Sequence, residues 1–185
     1  MASVCNIVTF IGNGNSLYDL IITNNKHTKR IIRYKKSDKE LIKESYDHLK
    51  NLCDFLSDEY EYKFEAPASE EEINNWEKEN DAVIPSMLKE WLLLTKNCNM
   101  SDRSWQLFFP EIDDAENVLV GSFTGDGEYL YFSRKTGDFF TTFDGETEEY
   151  DSFDDVLTYI SVDLEDKAED IFGEDWLETF EDQYD

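Results

Sequence analysis

The chain has 185 residues, of which 40% are hydrophobic and 15% aromatic, and its formal net charge is −26. A domain of this length buries about 70% of its unfolded surface, so the composition predicts a hydrophobic core rather than disorder. The charge argues against direct binding to nucleic acid or to an anionic membrane. The sequence has neither a signal-peptide pattern nor a run of apolar residues that could span a membrane, so we expect a cytoplasmic protein.

The negative charge lies almost entirely in the second part of the chain. Residues 1–63 contain ten Lys or Arg and nine Asp or Glu, whereas residues 64–185 contain seven and thirty-four. Such a field attracts basic partners and speeds their encounter. The alternative is that the acidic residues serve only solubility.

The first predicted elements are β-strands followed by a helix. Residues 4–11 and 17–23 are rich in strand formers and flank a loose turn, and residues 30–34 could pair with them. Ser37 and Glu40 have the spacing of a capping box, which predicts a helix from Ser37 to about Leu56. We therefore predict an N-terminal β-hairpin extension over residues 1–36.

Two more helices are predicted in the middle of the chain. A second capping box, Ser69 with Glu72, begins a short helix that contains Trp76. Pro85 marks the entrance of another helix over residues 86–97. That helix is apolar nearly all round, so we expect it to be central and buried.

Residues 118–160 predict an antiparallel meander that leads into a helix. Three strand-like runs, residues 118–123, 128–133 and 138–143, are joined by the turn pairs Asp126-Gly127 and Gly137-Asp138. Ser152 caps the following helix. From Ser161 onward, the apolar spacing predicts two amphipathic helical segments broken at Gly173.

These elements predict an α+β fold in which a mostly antiparallel β-sheet packs against several α-helices, with the N-terminal β-hairpin added. We interpret residues 1–185 as a single domain. It comprises the hairpin extension 1–36, a core over residues 37–162, and a C-terminal acidic amphipathic helical segment over residues 163–185.

The order and spacing of these motifs resemble the SUKH superfamily, which includes bacterial toxin-immunity proteins and fungal regulators of cell-wall synthesis. The resemblance covers roughly residues 37–160. The chain departs from the family pattern in having Asn97-Cys98 where relatives often have Asn-Gly, and in its N-terminal hairpin. The matching residues are Pro67, Ser69, Glu72, Ile73, Ile84, Pro85, Trp91, Leu92, Gly125, Asp126, Gly127, Gly137, Ser152, Phe153 and Leu157.

The resemblance implies an immunity protein that binds and neutralises a cognate bacterial toxin, commonly a nuclease. We expect the protein to be a monomer or weak homodimer. A dense carboxylate surface would imitate phosphate groups toward a basic nuclease domain. The alternative is a regulatory or scaffold protein of the same fold that has no toxin partner. The candidate contacts are acids on the meander loops and before the final helix, with nearby tyrosines as anchors: Asp113, Asp114, Glu116, Asp126, Glu128, Tyr129, Tyr131, Asp144, Glu146, Glu148, Glu149, Tyr150 and Asp151.

The sequence carries no assembled catalytic or cofactor motif. His27 and His48 are isolated, and the three cysteines are too widely spaced to suggest a disulfide framework or a zinc site. We therefore expect no enzyme activity, no cofactor and no metal. A weak calcium-binding or hydrolytic function is a further alternative, with the acids around Asp144-Gly145-Glu146 as its only local support.

Overall fold

The computed structural model describes residues 17–22, 30–123 and 127–184. The chain divides into two compact units, Met1–Glu40 and Leu41–Asp185. In the first unit, strand β1 (Leu17–Ile22) pairs antiparallel with β2 (Arg30–Lys35), which confirms the pairing predicted for residues 30–34. The strand predicted over residues 4–11 lies outside the described residues.

Both predicted capping boxes are present. Helix α1 (Asp38–Phe55) begins after Ser37, whose N–H donates to Glu40 Oε2 at 2.9 Å while the Glu40 N–H donates to Ser37 Oγ at 3.3 Å. Helix α2 (Glu70–Asn80) begins in the same way, with distances of 2.9 and 3.2 Å between Ser69 and Glu72. Each box satisfies two backbone donors that a helix N-terminus leaves unpaired.

Helix α3 (Ser86–Leu92) follows Pro85 as predicted, but it ends five residues before the predicted end at Asn97. The reason is a set of hydrogen bonds to the preceding segment. The Leu92 carbonyl accepts from the Ala68 N–H at 2.8 Å, and the Lys96 N–H donates to the Ala66 carbonyl at 3.1 Å. Thr95 is fully buried, and its hydroxyl donates to the Glu65 carbonyl. These bonds replace those of a longer helix.

A seven-stranded antiparallel sheet forms the centre of the second unit. The predicted meander is confirmed as β6 (Asn117–Phe123), β7 (Glu128–Ser133) and β8 (Phe139–Phe143). The sequence did not predict β3 (Lys63–Phe64), β4 (Cys98–Met100), β5 (Trp105–Ile112) or β9 (Glu146–Tyr150). The strands lie in the order β3-β4-β5-β6-β7-β8-β9, and the α+β prediction is confirmed.

Helix α4 (Phe153–Phe172) crosses the sheet from β8 towards β5. At its start the Phe153 ring lies 5.2 Å from that of Phe139 on β8. Further along, the Tyr159 ring lies 5.6 Å from that of Trp105 on β5, whose indole N–H donates to Asp163 at 2.5 Å. The helix runs without a break past residue 162, where the core was predicted to end. It ends before Gly173, which confirms the predicted interruption, and α5 (Trp176–Tyr184) follows.

The core lies between the sheet and the helices. Helices α1 and α4 are joined at its border by a 2.7 Å hydrogen bond from the Ser45 hydroxyl to Asp154. Cys53 and Cys98 are buried free thiols. Burial raises the pKa of Cys53 to about 12 and also raises the pKa of Cys98, so both remain protonated and unreactive at neutral pH. Cys5 lies outside the described residues.

Replacement of Gly121 on β6 by alanine tests the packing of the sheet. A Cβ atom there would lie 2.8 Å from the Gln106 carbonyl oxygen, which belongs to the neighbouring strand and cannot move aside freely. We expect Gly121→Ala to lower the free energy of unfolding by about 1–3 kcal/mol. Urea unfolding measures it, with Ser122→Ala as the control. Equal stabilities of the two variants would contradict the close packing.

Candidate functional site

The predicted contact residues do not form one continuous surface. Successive connections of an antiparallel meander lie at opposite ends of the sheet. Asp113, Asp114 and Glu116, which connect β5 to β6, therefore share one end with Asp151, which follows β9. Asp144 lies at the other end, with Glu128 and Glu146 at the neighbouring strand termini. Asp126 lies outside the described residues.

The register of the last three strands divides the remaining residues between the two sides of the sheet. Glu148 on β9 is paired with Thr141 on β8, and Thr141 is paired with Leu130 on β7. The side chains of Thr141 and Leu130 are buried beneath the helices, so Glu148 also lies on the helix-facing side. Since side chains alternate along a strand, Glu128, Glu146 and Tyr150 share that helix-facing side. Tyr129, Tyr131 and Glu149 lie on the outer side.

On the helix-facing side, one corner of the sheet forms a cleft of about 240 Å³. Because α4 leaves β8 and crosses towards β5, it does not cover the far ends of β7, β8 and β9. Two aromatic side chains at this corner are partly exposed, Phe143 at 50% and Tyr159 at 42%. The cleft, called the corner cleft below, is lined by Glu128, Thr141, Phe143, Glu146, Thr147, Glu148 and Tyr159.

The three glutamates of the corner cleft have no neutralising partner among the described residues. Within the described part of the chain, no Lys or Arg forms an ion pair with Glu128, Glu146 or Glu148. Glu72 shows the contrasting case, because its carboxylate lies 2.8 Å from Lys96 Nζ. The negative charges of the corner cleft can therefore attract a cationic group of another molecule.

Burial and two carboxylates of the corner cleft, Glu128 and Glu148, raise the pKa of two nearby tyrosines. Burial raises the pKa of Tyr159, and the negative charges of Glu128 and Glu148 raise it further. Burial also raises the pKa of Tyr150 to about 12, and the same two glutamates add to the effect. The nearby Thr141 hydroxyl offsets part of the rise for Tyr150, although no hydrogen bond of good geometry joins the two hydroxyls. Carboxylates act in this direction because they disfavour a second anion.

The acids at the opposite end of the sheet include one with a structural role. The Asp114 carboxylate accepts hydrogen bonds from the N–H groups of Glu116 and Asn117, both at 2.7 Å, and these bonds hold its pKa below the ordinary value. Arg134 lies against the same connection and donates to the Ala115 carbonyl at 3.3 Å. Asp114 therefore stabilises the connection between β5 and β6. The guanidinium group of Arg134 lies near its carboxylate.

The outer side of the sheet presents two of the three predicted tyrosine anchors, Tyr129 and Tyr131, among apolar neighbours, whereas the Tyr150 hydroxyl is buried on the helix-facing side. The rings of Tyr131 and Phe140 are stacked, with centroids 5.6 Å apart and planes inclined by 18°. Leu119 and Glu149 lie in the same row across the strands, and Tyr129 is 42% exposed. This surface lies on the other side of strands β7, β8 and β9 from the corner cleft and shares none of the side chains that line the cleft.

Sequence reasoning missed four residues of the corner cleft: Thr141, Phe143, Thr147 and Tyr159. The alternation in residues 139–143 could have placed Thr141 and Phe143 on one side of β8. Tyr159 falls outside the buried stripe of α4, which contains Leu157 and Ile160. The position of Tyr159 outside this stripe could have been used to predict that its side chain is exposed.

The described part of the chain contains no group of three His, Cys, Asp or Glu side chains arranged to hold a metal ion. It also contains no helix with the length and apolar character needed to cross a membrane. The corner cleft combines carboxylates with aromatic faces, and both groups bind organic cations such as arginine and lysine side chains.

Comparison of the chain with protein-family models, curated proteins and solved structures gives no match. The resemblance to the SUKH superfamily therefore stays a prediction that depends on the motifs alone.

Removal of charge from the corner cleft should lower the pKa of its tyrosines. In a Glu128→Gln/Glu148→Gln variant, the Tyr159 and Tyr150 hydroxyls lose the carboxylates that oppose their ionisation. We expect both to titrate at lower pH than in the wild type. NMR of carbon-labelled tyrosine across alkaline pH measures each residue. Glu149→Gln, on the outer side of the sheet, is the control and should leave both values in place; unchanged values in the double variant would contradict the proximity.

Proposed function

We propose that this protein binds a basic protein through the corner cleft and that the partner is a toxin whose activity is neutralised in the complex. The observation that carries the proposal is the set of three glutamates beside Phe143 and Tyr159 that form no ion pair with any described residue. The prediction of an immunity protein, made from the motifs that resemble the SUKH superfamily, agrees with this chemistry.

The corner cleft has the properties that recognition of a basic side chain requires. A guanidinium or ammonium group placed there would lie near the carboxylates of Glu128, Glu146 and Glu148, which come from two different strands. The exposed face of Tyr159 would add a cation–π contact, worth about 0.5–1 kcal/mol at an exposed site. A volume of about 240 Å³ admits one long side chain rather than a folded domain. The cleft therefore serves as the anchoring point of a wider interface.

A nuclease toxin is the partner class that best fits this electrostatic pattern. A nuclease binds phosphate groups, so its active site is basic, and an array of carboxylates can occupy the same positions. The net charge of −26 would also steer the two proteins together from a distance. Occupation of the basic site by the immunity protein would exclude the nucleic acid and stop hydrolysis.

The test is an association measurement with the nuclease domain encoded by a neighbouring toxin gene. We expect a stable complex, inhibition of the nuclease, and an association rate that falls steeply as salt is added. A Glu146→Gln/Glu148→Gln variant should associate roughly tenfold more slowly, because two charges that steer the encounter are lost. Stopped-flow fluorescence measures the rate.

The matched control removes the same number of charges at the opposite end of the sheet. An Asp113→Asn/Glu116→Gln variant should associate at nearly the wild-type rate. Equal slowing of both variants would show that only the overall charge matters and would contradict the corner cleft as the contact. Failure of the wild-type protein to bind or inhibit the nuclease would overturn the proposed function and favour the regulatory or scaffold alternative.

A further inference from the structure

Among the strands that the structure describes, β9 forms an unpaired edge of the sheet. It pairs with β8 on one side and is the last strand in the sheet order. Its residues from Glu146 to Glu149 are all exposed. The opposite edge, β3, has only two residues. An edge strand of five residues presents a row of unpaired backbone groups, which can pair with a strand from another chain.

The turn before β9 determines which backbone groups point outwards. Asp144 and Gly145 form a two-residue connection with positive φ angles of 48° and 84°, as in a type I′ turn. The flanking residues, Phe143 and Glu146, are therefore a hydrogen-bonded pair, and such pairs alternate along an antiparallel ladder. The register continues without a shift through Glu148 and Tyr150. Consequently, the N–H and C=O groups of Thr147 and Glu149 point away from β8.

We propose that β9 receives an extended, basic segment of the partner as an eighth strand of the sheet. This inference rests on the proposed function, because the same basic protein supplies the segment. Main-chain hydrogen bonds to Thr147 and Glu149 hold the segment in place, as in other cases of β-strand addition. The side chains of β9 then determine which residues the partner segment must carry.

Both sides of the added strand meet acidic side chains. On the helix-facing side it runs beside Glu146 and Glu148, so that one of its basic residues reaches the corner cleft. On the outer side it meets Glu149. Opposite charges on neighbouring strands contribute roughly 0.2–1 kcal/mol for each pair. An extended segment with basic residues on both sides therefore matches β9 better than an uncharged or acidic segment.

The same side chains argue against a second copy of this chain as the occupant. If two β9 strands were paired edge to edge and antiparallel through the outward groups of Thr147 and Glu149, each possible register would place glutamate directly opposite glutamate on one side of the joined sheet. Like charges in such positions are destabilising. Charged edge residues commonly prevent self-association in this way. The charges of β9 therefore disfavour pairing with a second copy of β9 and favour pairing with a basic strand.

A proline at Thr147 tests the strand addition in the complex with the neighbouring toxin's nuclease domain. Thr147→Pro removes one outward N–H and places a ring where the added strand would approach, while every carboxylate of β9 remains. Proline is tolerated on an edge strand where its N–H would face solvent. We expect the dissociation constant to rise about tenfold or more, with the salt dependence of association unchanged.

Thr147→Val is the matched control: it changes the same side chain but keeps the backbone N–H, so it should bind at least tenfold more tightly than Thr147→Pro. Circular dichroism establishes that both variants are folded. If Thr147→Pro binds as tightly as Thr147→Val, strand addition is wrong while the proposed function stands. If the wild type forms no complex at all, the proposed function fails first, so the two failures are distinguishable.

Hydrogen exchange in wild-type protein provides a second measurement that needs no variant. The amides of Thr147 and Glu149 should exchange rapidly in the free protein and become protected in the complex. Those of Glu146 and Glu148 should be protected in both states, because they bond to β8. Unchanged exchange at Thr147 and Glu149 would overturn the inference. Protection at these positions in a homodimer of the free protein, detected by sedimentation, would assign the edge to a second copy and would also overturn it.

Discussion

The packing of α4 against the sheet is the interaction on which the rest of the second unit depends. Its first ring, Phe153, is fully buried and contacts the rings of Phe139 on β8 and Trp91 on α3. Loss of such a side chain typically costs about 3–5 kcal/mol, a large share of the stability of a domain. The path of α4 also determines which part of the sheet stays uncovered. The corner cleft exists because the helix leaves β8 near Phe153 and reaches β5 near Tyr159.

Elements with a local chemical signal could be predicted from the sequence. The capping boxes at Ser37 and Ser69 and the break at Gly173 depend on neighbouring residues, and all three are confirmed. The end of α3 depends instead on hydrogen bonds to residues distant in sequence. Strand β9 was missed because glutamate has a low strand propensity, so its strand conformation is imposed by pairing with β8.

The candidate site was only partly accessible to sequence reasoning. The sequence indicates that the meander is acidic, but it does not indicate that Glu148 and Glu149 face opposite sides of the sheet. That assignment depends on register, and a shift of one residue would exchange the sides. Nor does the sequence distinguish Asp114, which accepts two backbone hydrogen bonds, from an acid that is free to meet a partner. Tyr159 joins the corner cleft only through the tertiary path of α4.

The acidic residues of the corner cleft and the residues of the core are separate sets. Glu128, Glu146 and Glu148 make no hydrogen bond or ion pair within the described residues, so replacing them removes no internal contact of that kind. Surface substitutions of this kind usually change stability by less than about 0.5 kcal/mol. Duplicated copies of the gene could therefore acquire different charges at this corner while keeping the same scaffold. A change of partner at the proposed contact surface therefore need not pass through unstable intermediates.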